Sequence, residues 1–167
     1  MSIWLFRRLI FVSLTILALG NLTLAAALAC DSGFTQVSST IPGTSGTLKV
    51  RWTEAGLTPG QTINYKVSTQ VTAVYTCITD DDSDWHSHPP NTKTIHRHVV
   101  TRTSFIADRN GTVHGWVALD PPNGRSLHCS DDQKRVLASV AYQDDPIFDL
   151  TNHVTTGVPD ASRVYFP

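Results

Sequence analysis

Between Gln61 and Cys77 the chain alternates with a period of two. Ile63, Tyr65, Val67, Val71, Ala73, Tyr75 and Cys77 hold the odd positions, and Thr62, Asn64, Lys66, Ser68, Gln70, Thr72 and Thr76 the even ones, with Val74 the one apolar exception. That period predicts a half-buried β-strand, because successive side chains point to opposite faces. The run exceeds an average strand, so the expectation is two strands, or one bent strand, broken near Ser68-Thr69-Gln70. Its apolar parity carries Cys77 toward the core, and the rest of the chain must cover that face.

The flanking segments read the same way. Leu48, Val50 and Trp52 alternate with Thr47, Lys49, Arg51 and Thr53, which predicts a strand with a buried tryptophan. Gly56-Leu57-Thr58-Pro59-Gly60 is a turn. Phe34–Ile41 is a short strand ended by Pro42-Gly43. In Ile95–Ala107, Ile95, Val99 and Phe105 oppose His96, His98, Val100 and Arg102. Asp108-Arg109-Asn110-Gly111 predicts a hairpin through a type I′ turn, since Asn-Gly tolerates positive φ. Gly111–Leu119 would be its second arm, with Val113, Val117 and Leu119 opposite His114 and Trp116. Trp116 is expected to pack in the core or half-buried. Val136, Ala138, Val140 and Tyr142 alternate in turn, and their β-branched members favour a strand over a helix across 131–141. Ile147–Leu150 and Arg163–Phe166 are short closing strands or edges. About seven to eight short antiparallel strands separated by Gly/Pro turns predict an all-β sandwich, with a closed barrel as the alternative.

The stretch WTEAGLTPGQTINYKV, beginning at Trp52, resembles the strand–turn–strand of immunoglobulin-like and fibronectin type III domains. The order VTAVYTC, a polar loop, TSFIADRNGTVHGWVAL, a second cysteine and RVLASVAYQDD is similar to small exported bacterial sandwich proteins, over roughly Leu48–Leu150. The resemblance implies an immunoglobulin-like sandwich. It supplies no catalytic residues, and a shared fold does not carry a function.

Residues 1–29 are expected to be a secretory signal peptide rather than part of the fold. Arg7 and Arg8 precede the apolar run Leu9–Leu19, Ala27-Leu28-Ala29 is a small-x-small cleavage pattern, and no acid occurs before Asp31. An uncleaved anchor helix is the alternative, since the apolar stretch runs on to Ala29. The leader holds two cations and no acid, so the formal charge of −1 becomes −3 without it. That balance argues against a nucleic-acid surface. No segment of residues 30–167 is long and apolar enough to span a membrane. These residues suit one domain with one core.

In an oxidising compartment Cys77 and Cys129 are the expected disulfide. Cys30 is left over directly after the leader, which suggests lipid anchoring, although Ala27 stands where a bacterial lipobox usually has Leu. A free or intermolecular thiol is the alternative.

The loop and strand edge 79–98 carry the unusual chemistry. His86, His88, His96 and His98 are four of the chain's seven histidines. Residues two apart in a strand share a side, so His96 and His98 project together, and the loop pair folding back would complete a four-imidazole site for Zn²⁺ or Cu²⁺. His114 is a candidate fifth neighbour. Asp80, Asp82 and Asp84 have the spacing that opens a Ca²⁺ loop, but Trp85 stands where an EF-hand needs Gly and no later Glu follows. Trp85 and Trp116 are the candidates for stacking on a sugar or a partner, Trp85 ahead of Trp116 because it lies in a polar loop with few apolar neighbours. There is no H-E-x-x-H or Walker A sequence, and no argument places a catalytic triad. The expectation is therefore an exported, non-catalytic β-sandwich that recognises a wall polysaccharide or an extracellular protein through loop 79–98. The alternative is a histidine-rich Zn- or Cu-binding extracytoplasmic protein.

Overall fold

The computed structural model describes residues 31–79 and 91–165. The expected leader and Cys30 lie outside the described residues. Within them the chain forms nine strands: β1 (Gly33–Thr40), β2 (Leu48–Ala55), β3 (Thr62–Thr79), β4 (Thr92–Ile106), β5 (Val113–Leu119), β6 (Gln133–Gln143), β7 (Asp145–Asp149), β8 (Val154–Val158) and β9 (Ala161–Val164). All pairings are antiparallel, in two sheets. One is three-stranded, in the order β1-β2-β5; the other is six-stranded, in the order β8-β7-β3-β6-β9, with β4 also on β3. The apolar faces of the two sheets share one core, so the molecule is a β-sandwich. Among the described residues no helix is long and apolar enough to cross a membrane.

The six-stranded sheet is built on β3. One edge of β3 pairs with β4 from Thr62 to Thr76 without a break. Its other edge pairs first with β7, over Tyr65–Val67, and then with β6, over Gln70–Thr79. The discontinuity expected near Ser68–Gln70 is thus a change of partner on one side of a single strand. Ser68 and Thr69 are buried at that junction, and the Thr69 hydroxyl donates to the Gln143 carbonyl (3.3 Å) at the end of β6. Asp144, with φ of 53°, turns the chain there from β6 into β7.

The alternation read from the sequence holds across the core. Leu48, Val50, Trp52, Val113, Val117 and Leu119 face inward from the three-stranded sheet. Ile63, Tyr65, Val67, Val71, Ala73, Val140, Tyr142 and Ile147 meet them from the other. Trp52 is 3% exposed. Its indole packs on Tyr65, ring centroids 5.0 Å apart, and edge-on against Phe105 at 5.7 Å. Gly115, the cross-strand partner of Trp52, makes room for that indole, since a Cβ there would overlap it.

The turn at Asp108–Gly111 departs from expectation in type and in consequence. The Gly111 amide donates to the Asp108 carbonyl (3.0 Å), and the Asp108 carboxylate accepts from the Asn110 and Thr112 amides (2.8 and 2.9 Å). Gly111 has a positive φ of 69°, whereas Asn110 does not. This is a type I turn followed by a left-handed glycine. Its arms are not ladder partners: β4 lies on β3 and β5 lies on β2. The segment before β3 decides this. Gly60 donates to the Ala107 carbonyl and Ala107 to the Gln61 carbonyl (both 2.9 Å), holding the end of β4 to the start of β3. Leu57 donates to the Gly111 carbonyl (3.0 Å), drawing the chain toward the end of β2.

Replacing Trp52 by Ala is expected to destabilise the fold by ~3–5 kcal/mol, the range for deleting a large buried aromatic. Equilibrium denaturation checks it; an unchanged midpoint would contradict the central role of this ring.

Candidate functional site

β3 and β4 form a long ribbon, and the connection between them is fastened at its base. Cys77, near the end of β3, is bonded to Cys129 with a Cα–Cα distance of 5.5 Å, well inside the range a disulfide accepts. This is the expected pair. The Cys77 amide donates to the Asn91 carbonyl (3.1 Å), and the Asn91 side-chain amide donates to the His128 carbonyl (2.9 Å). Lys93 Nζ donates to the Ser126 carbonyl (3.2 Å). Segment 126–129 therefore clamps both strands at the point where the loop departs. The loop's own candidates, Asp80, Asp82, Asp84, Trp85, His86 and His88, lie outside the described residues.

Farther along the ribbon from this base, the edge of β4 forms a groove of about 410 Å³ with the chain following β5. Arg97, His98, Val99 and Val100 line one side and Asp120–Asn123 the other. The groove thus carries a guanidinium, an imidazole, a carboxylate and an amide. This suits hydrogen bonding to a polar chain more than enclosure of an apolar ligand.

His96 and His98 share the outer face of β4, opposite Thr72 and Gln70, as their spacing requires. His96 Nδ1 and the Thr72 hydroxyl are hydrogen-bonded at 3.0 Å, leaving Nε2 as the nitrogen for a further ligand. Among the described residues no three His, Cys, Asp or Glu side chains come together as a metal site. His114 is not a neighbour of this pair. It stands on the outer face of β5, hydrogen-bonded through Nδ1 to Thr53 (3.1 Å), because the 108–111 turn passes between sheets.

A second cluster of ionisable groups is internal. The inward parity of β2 continues past Trp52 to Glu54, which is 0% exposed. The Tyr65 hydroxyl donates to Glu54 Oε2 (2.8 Å), while Oε1 has no hydrogen-bond partner. Asp149, the cross-strand partner of Tyr65, is 1% exposed. It accepts from the Thr151 amide (2.7 Å), the Asn152 amide (3.1 Å) and the Asn152 side chain (2.6 Å). Burial is the main cause that pushes the Glu54 carboxyl up to about 7, and the charge of Asp149 pushes the same way against the lowering effect of the Tyr65 hydrogen bond. Burial and Glu54 together raise the Tyr65 phenol far above its ordinary value. Both carboxyls are closed to solvent, so no substrate reaches them while the sandwich is intact. The cluster ties β2 to β3 and β7 across the core.

No protein-family model matches this chain, and no curated protein is similar to it in sequence. The functional reading accordingly stands on the geometry.

Two features escaped the sequence reading. Glu54 was signalled by the parity of Leu48, Val50 and Trp52, which it continues. Trp116 was placed on the correct face of β5 but expected to pack; it is 55% exposed. Among the described residues no layer covers the outer side of the three-stranded sheet.

The folded protein holds the Glu54 proton up to about pH 7, whereas an unperturbed carboxyl releases it near 4.5. Folding therefore takes up a proton between those values. The stabilisation is complete below about pH 4.5 and is lost as pH rises through about 7. Glu54→Gln removes the titration and keeps the shape. Its stability relative to the parent is expected to rise across that window, by roughly 3 kcal/mol. Parallel denaturant titrations check this; a difference independent of pH would show that Glu54 does not carry the proton.

Proposed function

We propose that the protein is an exported, non-catalytic recognition module of the immunoglobulin-like type. It contacts an extracellular protein or a wall polysaccharide through loop 79–98 and the adjoining edge of β4. The observation that carries this reading is the groove of Arg97, His98, Asp120 and Asn123 on the same ribbon whose loop end is fixed by the Cys77–Cys129 bond. A loop held by a rigid scaffold presents its side chains with little ordering cost on binding. The immunoglobulin-like assignment rests on the Trp52-to-Tyr65 pattern and the two-sheet packing of those rings. The non-catalytic reading is supported by the sealed position of Glu54 and Asp149.

Exchange of residues 80–90 for a Gly-Ser linker of equal length, combined with Arg97→Ala, tests the reading. Retention of labelled protein on purified wall polysaccharide and on immobilised envelope proteins is expected to fall at least tenfold (~1.4 kcal/mol), with the melting temperature preserved. Undiminished retention would reject it.

The second reading, Zn²⁺ or Cu²⁺ binding, is favoured by the shared face of His96 and His98. Calorimetric titration of metal into residues 30–167 is then expected to give stoichiometric binding that His96→Ala/His98→Ala abolishes. Titration heats no larger than those of an exposed-histidine control would dismiss it.

A further inference from the structure

The outer face of the three-stranded sheet has a composition unlike the rest of the surface. Register places Ser38, Arg51 and Trp116 in one row across β1, β2 and β5, and Gln36, Thr53 and His114 in the next. Between them runs a groove of about 330 Å³, floored at Gly115 and Trp52. That is the lower end of the range for small-ligand sites. Trp116 leaves 55% of its surface in water. The Lys49 ammonium sits over its indole, 4.8 Å from the ring centroid, which restrains the ring and sets a positive charge beside it. Arg51, the cross-strand partner of Trp116, is exposed on the same face.

The charge of this face opposes that of the whole chain, whose formal charge is −1. The outward positions of β1, β2 and β5 from Gln36 to Thr40, Lys49 to Thr53 and His114 to Ala118 include two cations and no carboxylate. Along β5 the next acid, Asp120, accepts from the Thr47 hydroxyl (2.8 Å) at the far end of the sheet. It is four residues from Trp116, about 13 Å along an extended strand.

We propose that this face binds an acidic polysaccharide built of uronic-acid sugars. The C–H face of a pyranose ring stacks on Trp116. Its carboxylate pairs with the Arg51 guanidinium, whose planar fork matches two carboxylate oxygens, with Lys49 adding charge. The ring hydroxyls meet Gln36, Ser38, Thr53 and His114, which donate and accept in the same row spacing. The site does not depend on loop 79–98, so it stands or falls apart from the function proposed above.

The test is calorimetry and tryptophan fluorescence of residues 30–167 with oligogalacturonate, using a neutral oligoglucan and oligouridylate as comparison ligands. Oligogalacturonate is expected to bind, with affinity falling as salt rises, and the oligoglucan at least tenfold more weakly. Trp116→Ala is expected to lower affinity at least tenfold, and Arg51→Gln at least fivefold with most of the salt dependence lost. Both positions are exposed, so circular dichroism and melting should match the parent, and exchange of residues 80–90 should leave this binding unchanged. The proposal is overturned by no binding of oligogalacturonate, by equal binding of the oligoglucan, by full affinity in Trp116→Ala, or by oligouridylate taking the site in its place.

Discussion

Tyr65 is the residue on which the two sheets depend. Its ring lies against Trp52 at 5.0 Å and Phe105 at 6.1 Å, and its hydroxyl donates to Glu54 at 2.8 Å. One side chain from the centre of the larger sheet thus supplies apolar area to the core and satisfies a carboxyl oxygen that the smaller sheet buries. Burying a phenol without a partner is unfavourable, and so is burying a carboxyl without a donor. The bond relieves part of both penalties, with Glu54 Oε1 left without a partner, provided that β2 and β3 hold this alignment. Asp149, facing Tyr65 across the β3–β7 ladder, extends the constraint to the edge of the larger sheet.

The same layering explains where chemistry is available. A sandwich consumes one face of each sheet and leaves the other in water. Here β3 has partners along both edges, so its polar positions form a continuous outer wall with β4, including Thr72 beside His96. The smaller sheet is three strands wide, and its outer wall carries Arg51, His114 and the exposed Trp116. The exposed polar groups therefore sit on surfaces the fold does not use, whereas Glu54 and Asp149 are sealed inside.

Much of the fold was legible in the chain because strand parity is a local property. It correctly assigned the inward faces of β2, β3, β5 and β6 and the common side of His96 and His98. It could not assign strands to sheets. The Asn110-Gly111 signal marks a tight turn, but whether its arms then pair is decided by Leu57 and Gly60, some fifty residues earlier. Nor does parity say whether a face is covered, which is why Trp116 was expected to pack. Glu54 was overlooked for a related reason: a charged residue following an apolar series reads as the end of a strand, when the alternation itself continues through it. Of the metal candidates, His96 and His98 share one side of β4, and His86 and His88 lie outside the described residues.

Parity has a further weakness that this core repairs. A slip of one residue between β2 and its neighbours would turn Lys49, Arg51 and Thr53 inward and is forbidden by burial. A slip of two preserves every inward apolar position and is not excluded by hydrophobicity. Two contacts exclude it. Trp52 needs the missing Cβ of Gly115 opposite it, and a two-residue shift would set Val113 or Val117 there instead. Glu54 needs the Tyr65 hydroxyl, and the same shift would carry its carboxyl away from the donor while leaving it buried. A buried carboxyl adds little net stability compared with a well-packed apolar side chain. Its contribution here is to separate one register from the next that hydrophobic alternation would accept, and the row of Ser38, Arg51 and Trp116 on the opposite face exists only in that register.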